Sequence, residues 1–146
     1  MYHPILLLHS FTRFVILFAL LYVLIKAVKG MITKTDYSPS DLRMHGILTI
    51  TTHVQMVLGI VLYFISPFVV FAASTMKDSL LRYWTVEHIS MMLVGVVLIT
   101  IANFKLKRAG NGSKNHKTVL IYTGIALAIF VVSIITSKRG LFGITT

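Results

Sequence analysis

A chain of 146 residues that is 56% hydrophobic and 12% charged, with a mean hydropathy of +0.86, lies far from the balance of a water-soluble domain and reads as an integral membrane protein. A formal charge of +10 would suggest nucleic acid in a soluble chain, but here the basic residues fall almost entirely between apolar segments, where insertion topology accounts for them, so nucleic acid is set aside as a partner. Cysteine is absent, which excludes disulfides, thiolate metal sites, iron–sulfur ligation and cysteine nucleophiles.

Apolar runs long enough for the about 20 residues of helix that a bilayer needs occur at 4–25, 44–66, 84–104 and 119–136. The first has no basic residue before it, carries Lys26 and Lys29 after it and shows no small-residue cleavage site, so it is expected as a retained span. The interval 26–43 is the longest polar one and too short to bury a core, which makes 1–146 one transmembrane domain. The connection 67–83 is neither short nor polar; "MKDSLLRYW" within it has the mixed character of an interfacial helix that would roof the bundle. "GNGSKN", at 110–115, reads as the hairpin turn before the last span.

The fold class expected is all-α, a membrane four-helix bundle with up-down-up-down topology. The loops 26–43 and 105–117 hold nine Lys/Arg residues between them, against Lys77, Arg82, Lys138 and Arg139 on the opposite side. The positive-inside rule then assigns the two basic loops to the cytoplasm and both termini to the outer, periplasmic side of a bacterial inner membrane.

Each span's centre sets a midplane and about 1.5 Å of rise per residue sets depth. His9 and His88 both come out about 9 Å to the outer side, on the first and third spans. His45 and His116 match each other at about 15 to 18 Å to the inner side, where water would satisfy them, and His53 is alone near the centre. In an up-down bundle the first and third spans are diagonal partners, so two imidazoles at one level can hold an iron between them, with a flat macrocycle filling the gap. That geometry suits one haem b. His45 with His116 is the weaker option of a second.

Gly59 lies near the level of His9 and His88, where a macrocycle needs thin walls, and Gly95 shares a face with His88. Arg13, one turn after His9, can reach a haem propionate or the Glu87 carboxylate; Glu87 could instead fix a histidine ring nitrogen. His53, with Gln55 nearby, is either a rival iron ligand or a hydrogen-bonding group for a quinone. Met91 and Met92 are axial candidates, although methionine in a membrane helix generally packs. Four acidic residues and no phosphate loop leave hydrolase and nucleotide chemistry without parts.

Three stretches, "LLHSFTRFVIL" at 7–17, "THVQMVLGIVLYFISP" at 52–67 and "MKDSLLRYWTVEHISMMLVGVVLITI" at 76–101, resemble the small four-helix membrane proteins of Bacteroidota labelled "cytochrome B", a b-type haem group similar to cytochrome b561. The resemblance implies haem b and electron transfer, and gives weight to His9 and Arg13 in "HSFTR", His53 and Gln55 in "HVQ", and Glu87 and His88 in "EH". His45 and His116 fall outside those motifs.

The expected function is relay of single electrons between a quinol pool or membrane partner and an outer-face acceptor, as a subunit or homo-oligomer rather than a stand-alone enzyme. The alternative is a non-redox structural subunit of a larger membrane complex, in which the His, Arg and Glu cluster only fixes helix packing.

Overall fold

The computed structural model describes residues 1–138, all of their regular structure helical. Arg139, counted above in the topology argument, lies outside the described residues. The long helices are α1 (Tyr2–Thr33), α2 (Pro39–Ile65), α4 (His88–Ala109) and α5 (Lys114–Thr136). Between α2 and α4 lie a 3-10 turn (Ala73–Lys77), the four-residue α3 (Ser79–Arg82) and a π turn (Tyr83–Glu87). No separate interfacial helix forms there. Instead, α3 runs through the π turn into α4, so the stretch Ser79–Ala109 is one helix, and among the described residues four helices are long and apolar enough to cross a membrane. This is the pattern of a multi-pass membrane protein.

The helices overrun the apolar windows because polar residues near their ends are still good helix formers and carry capping signals. Helix α1 continues to Thr33 and stops where Lys34 turns left-handed, φ 53°, with its N–H bonded to the Gly30 carbonyl. Five residues later Ser38 opens α2 with a capping box: its Oγ accepts from the Asp41 N–H at 3.1 Å, and its own N–H donates to Asp41 Oδ2 at 3.0 Å. Pro39 follows at the first helical position, where its missing N–H costs nothing. Lys26 Nζ lies 3.7 Å from Asp41 Oδ1 and ties the end of α1 to the start of α2. Helix α2 ends at Ile65, with Ser66 extended as the residue before Pro67 must be.

Helix α1 packs against α2 and α5, and α4 packs against the same two, so α1 and α4 face each other across the bundle. The exterior is apolar: Phe11, Phe18, Ile50, Phe64, Phe104 and Ile135 are all exposed. The interior mixes Leu20, Leu48, Ile99 and Leu106 with buried Ser10, Thr49, Thr52, Asn103, Thr123 and Ser133. Such an inverted distribution suits a lipid solvent, in which apolar surface gains nothing by hiding and polar side chains gain by bonding inside. Helices in lipid are held by close packing and interhelical hydrogen bonds, and the small residues allow both.

Two glycines show the closeness. The Phe130 ring occupies the space that a Cβ on Gly95 would need, and the His116 ring does the same at Gly30. His116 is thereby clamped: Nε2 bonds the Thr35 carbonyl at 3.0 Å, and the Tyr37 ring meets it edge-on at 5.2 Å between centroids. The Tyr37 hydroxyl donates to the Asp41 carbonyl at 3.1 Å. Burial, reinforced by the Asp41 carboxylate, pushes the Tyr37 phenol above its ordinary range, so the donor stays in place.

Gly30→Ala is expected to destabilise the protein by about 1–3 kcal/mol, the usual cost of overpacking. Gly46→Ala, where nothing lies within 4 Å, should be neutral or gain up to about 1 kcal/mol from helix propensity. Thermal unfolding in detergent reads both, and equal effects would contradict the seat of His116 on Gly30.

Candidate functional site

At the end of the bundle that holds residues 67–83, the four long helices part around a cavity of about 180 Å³, counted as the space open to a water molecule's centre. One water needs roughly 10–15 Å³ on that measure, so the space is ligand-sized. Its walls are mostly apolar, with His9 and Arg13 of α1, Gly59 of α2, His88 of α4 and Ser133 of α5 among the residues that line it. Phe68 and Val69, from the connection after α2, line it as well. That connection is pinned at Thr85: Tyr63 Oη donates to the Thr85 carbonyl at 2.8 Å, and the Val70 N–H donates to Thr85 Oγ1 at 3.1 Å.

A polar clamp between α1 and α2 sets His9. Gln55 Nε2 donates to the His9 carbonyl at 2.8 Å, while the Thr12 hydroxyl bonds Gln55 Oε1 and the Leu8 carbonyl. One turn beyond Gln55, Gly59 presents bare backbone to the imidazole; a Cβ there would stand 3.3 Å from His9 Cε1. Its Nδ1 is buried and has no hydrogen-bond partner.

On the facing helix, the π turn sets His88. Residues five apart on an α-helix point about 140° away from each other. In the π turn the His88 N–H instead reaches the Tyr83 carbonyl, and the wider turn brings residues 83 and 88 to one side. Tyr83 Oη and His88 Nδ1 consequently meet the same residue of α5: Tyr83 Oη lies 2.9 Å from Ser133 Oγ, and His88 Nδ1 lies 3.2 Å from it. The Trp84 ring packs at 5.2 Å from the imidazole.

The other sequence candidates separate into three groups. Arg13 shares the cavity with His9, its guanidinium 4.9 Å from the centre of the Phe14 ring. Glu87 does not line the cavity and pairs with neither Arg13 nor a histidine; it accepts from Arg82 Nε at 2.8 Å, with both side chains about two-fifths exposed at 38% and 40%. His53 also stands apart, bridging α2 and α4 through Nδ1 to the Thr49 carbonyl at 2.7 Å and Nε2 to Thr100 Oγ1 at 3.4 Å. Met92 lines the cavity and Met91 does not, while Gly95 is filled by Phe130.

His45 and His116 are not at a wet interface. They are 0% and 2% exposed, and His45 Nε2 is bonded to Thr123 Oγ1 at 3.1 Å. Their burial differs from the depth estimate because α1, α2 and α5 all continue past their apolar windows and enclose both rings in protein. Neither ring lines the cavity around His9 and His88. Among the described residues, no group of three or more His, Asp or Glu side chains could hold a bare metal ion.

Sequence reasoning missed Tyr83, Ser133, Thr12, Tyr63 and Thr85. Serine, threonine and tyrosine carry no signal at this spacing, since each is as common in a membrane helix facing lipid with its hydroxyl bonded to its own backbone. Comparison with family models, curated proteins and solved structures returns no match for this chain.

Gln55→Leu is expected to cost about 1 kcal/mol by removing an interhelical bond. Glu87→Gln should cost only about 0–1 kcal/mol, because its ion pair is half in solvent. Denaturant titration of the two variants side by side tests this order; a larger loss at position 87 would place Glu87 in the buried network.

Proposed function

We propose that this chain is a b-type haem-binding electron-transfer protein of a bacterial inner membrane, with helices alternating in direction and both termini on the outer side. The observation that carries the reading is that His9 and His88 stand on the two helices that face each other and line one cavity. Alternation is supported by contacts at opposite ends: Gln55, late in α2, bonds His9, early in α1, whereas Lys26, late in α1, meets Asp41, early in α2. The excess of basic residues in the two loops at the other end supports the orientation.

The residues fit the group. Two imidazoles from opposite walls are a donor set that a b-type haem takes, His9 keeps a buried ring nitrogen without a partner, and the α2 wall is bare at Gly59. When bound, the haem supplies a one-electron couple at its iron. His9 and His88 would hold that iron, and Arg13 would meet the carboxylate edge of the ring in surroundings of low dielectric, where a charge-assisted bond is strong. The apolar walls exclude water and, with the hydrogen bonds behind the imidazoles, set the potential. The connection 67–83 covers the outer end, where an acceptor would approach, and the donor would be a quinol or a membrane partner subunit in the bilayer.

His53 is proposed as a helix-joining residue, its two ring nitrogens already engaged between α2 and α4. Protein purified from haem-replete cells is expected to show a Soret band and a reducible α band at one haem per chain. His9→Ala and His88→Ala should each abolish the six-coordinate spectrum, while His53→Ala retains it. A colourless preparation would favour the structural subunit, whose polar cluster only joins helices.

A further inference from the structure

Behind His88 lies a short hydrogen-bond chain whose direction follows if each hydroxyl hydrogen is spent on one acceptor, the nearest. Tyr83 Oη is 2.5 Å from the Ser133 carbonyl oxygen, 2.9 Å from Ser133 Oγ and 3.4 Å from His88 Nδ1; His88 Nδ1 is 3.2 Å from Ser133 Oγ. A carbonyl oxygen can only accept, so the Tyr83 hydroxyl, which has one hydrogen, spends it there. Tyr83 Oη is then an acceptor toward Ser133 Oγ, which donates its own single hydrogen to it. With that hydrogen committed, Ser133 Oγ meets His88 Nδ1 as an acceptor, and in this arrangement the nitrogen brings the proton.

We infer that Tyr83 and Ser133 hold His88 as the Nδ1–H tautomer, which leaves the imidazole lone pair on Nε2. The chain runs Nδ1–H to Ser133 Oγ–H to Tyr83 Oη–H to the Ser133 carbonyl, and each hydroxyl is used once as donor and once as acceptor. The π turn makes it possible, because it brings Tyr83 and His88 to the same side, against one serine of α5. Tyr83 and Ser133 are positioning residues: they act through His88. A ring that donates from Nδ1 to an oxygen acceptor is more electron-rich at Nε2 and fixed in orientation, the arrangement that metal-ligating histidines adopt. His9 has no such support, its Nδ1 being buried without a partner. The two imidazoles are therefore unequal, His88 the stronger donor. The consequence for iron rests on the haem reading; the tautomer does not.

Two measurements separate these levels. In the full-length protein made without haem and labelled with 15N-histidine, with His88→Gln used for assignment, the lone-pair nitrogen of residue 88 should correlate strongly with both carbon-bound ring protons, which identifies it as Nε2. Ser133→Ala should give a mixture of tautomers, and Ser133→Thr, which keeps the hydroxyl, should restore the native form. A lone pair on Nδ1 in the native protein, or no change in Ser133→Ala, overturns the inference. In haem-loaded protein, Ser133→Ala should release haem to an excess of a haem-accepting protein roughly 10- to 100-fold faster, and Ser133→Thr at the native rate. An unchanged rate overturns the positioning role, whereas failure of the native protein to take up haem removes the haem reading and leaves the nitrogen measurement to decide the tautomer.

Discussion

A polar side chain inside a membrane bundle has no water to fall back on, so it must find its partner within the protein, and that requirement organises this molecule from end to end. The exterior is given over to Phe, Ile, Leu and Val, while Ser, Thr, Asn and His turn inward, some bonding their own helix, as Thr49 and Thr52 do, and others a neighbour, as His45 and Ser133 do. Where a ring nitrogen meets a neighbouring element directly, as with His53 Nε2 on Thr100 or His116 Nε2 on the Thr35 carbonyl, the result is a joint between elements. Where two histidines reach a shared space large enough for a ligand, the same requirement points to function.

The two ends of the bundle divide these roles. At the end where α1 meets α2 through Lys34 to Ser38, histidines are packed into solid protein, with Gly30 giving His116 its seat and Thr123 bonding His45 Nε2. At the opposite end the helices separate, and the wall is built by devices that hold imidazoles in place without filling the gap: a glutamine and threonine clamp on one side, a π turn and serine on the other. One end supplies rigidity and the other supplies room. The connection 67–83 belongs to the second end, and its pinning to Thr85 couples the cover of the cavity to the turn that sets His88.

Much of this could be read from the sequence because bilayer thickness and helical rise are fixed lengths. Four apolar runs correspond to the four long helices, and His9 and His88, which counting residues from each centre expects at one level, both line one cavity. Rotation about a helix axis is not a length, and there the reading failed to resolve partners. The sequence offers Glu87 as a partner for Arg13 or a histidine, but one residue of π register sends it toward Arg82 while His88 turns in. A π turn has no sequence signature. The mixed segment 76–84 looked like a separate interfacial helix for a related reason: its polar residues serve as an N-cap, through Asp78 Oδ1 to the Leu80 and Leu81 N–H groups, and as an ion pair at the head of α4 rather than as one face of an isolated helix.

The proposed pairing of His9 with His88 across one space can be read from the iron itself. Near-infrared magnetic circular dichroism of the oxidised, haem-loaded protein reads the axial ligands directly, through a charge-transfer band whose position separates two imidazoles from other pairs. The band of two neutral imidazoles is expected; the band of a histidine–methionine pair, or of a single imidazole, would rule the pairing out.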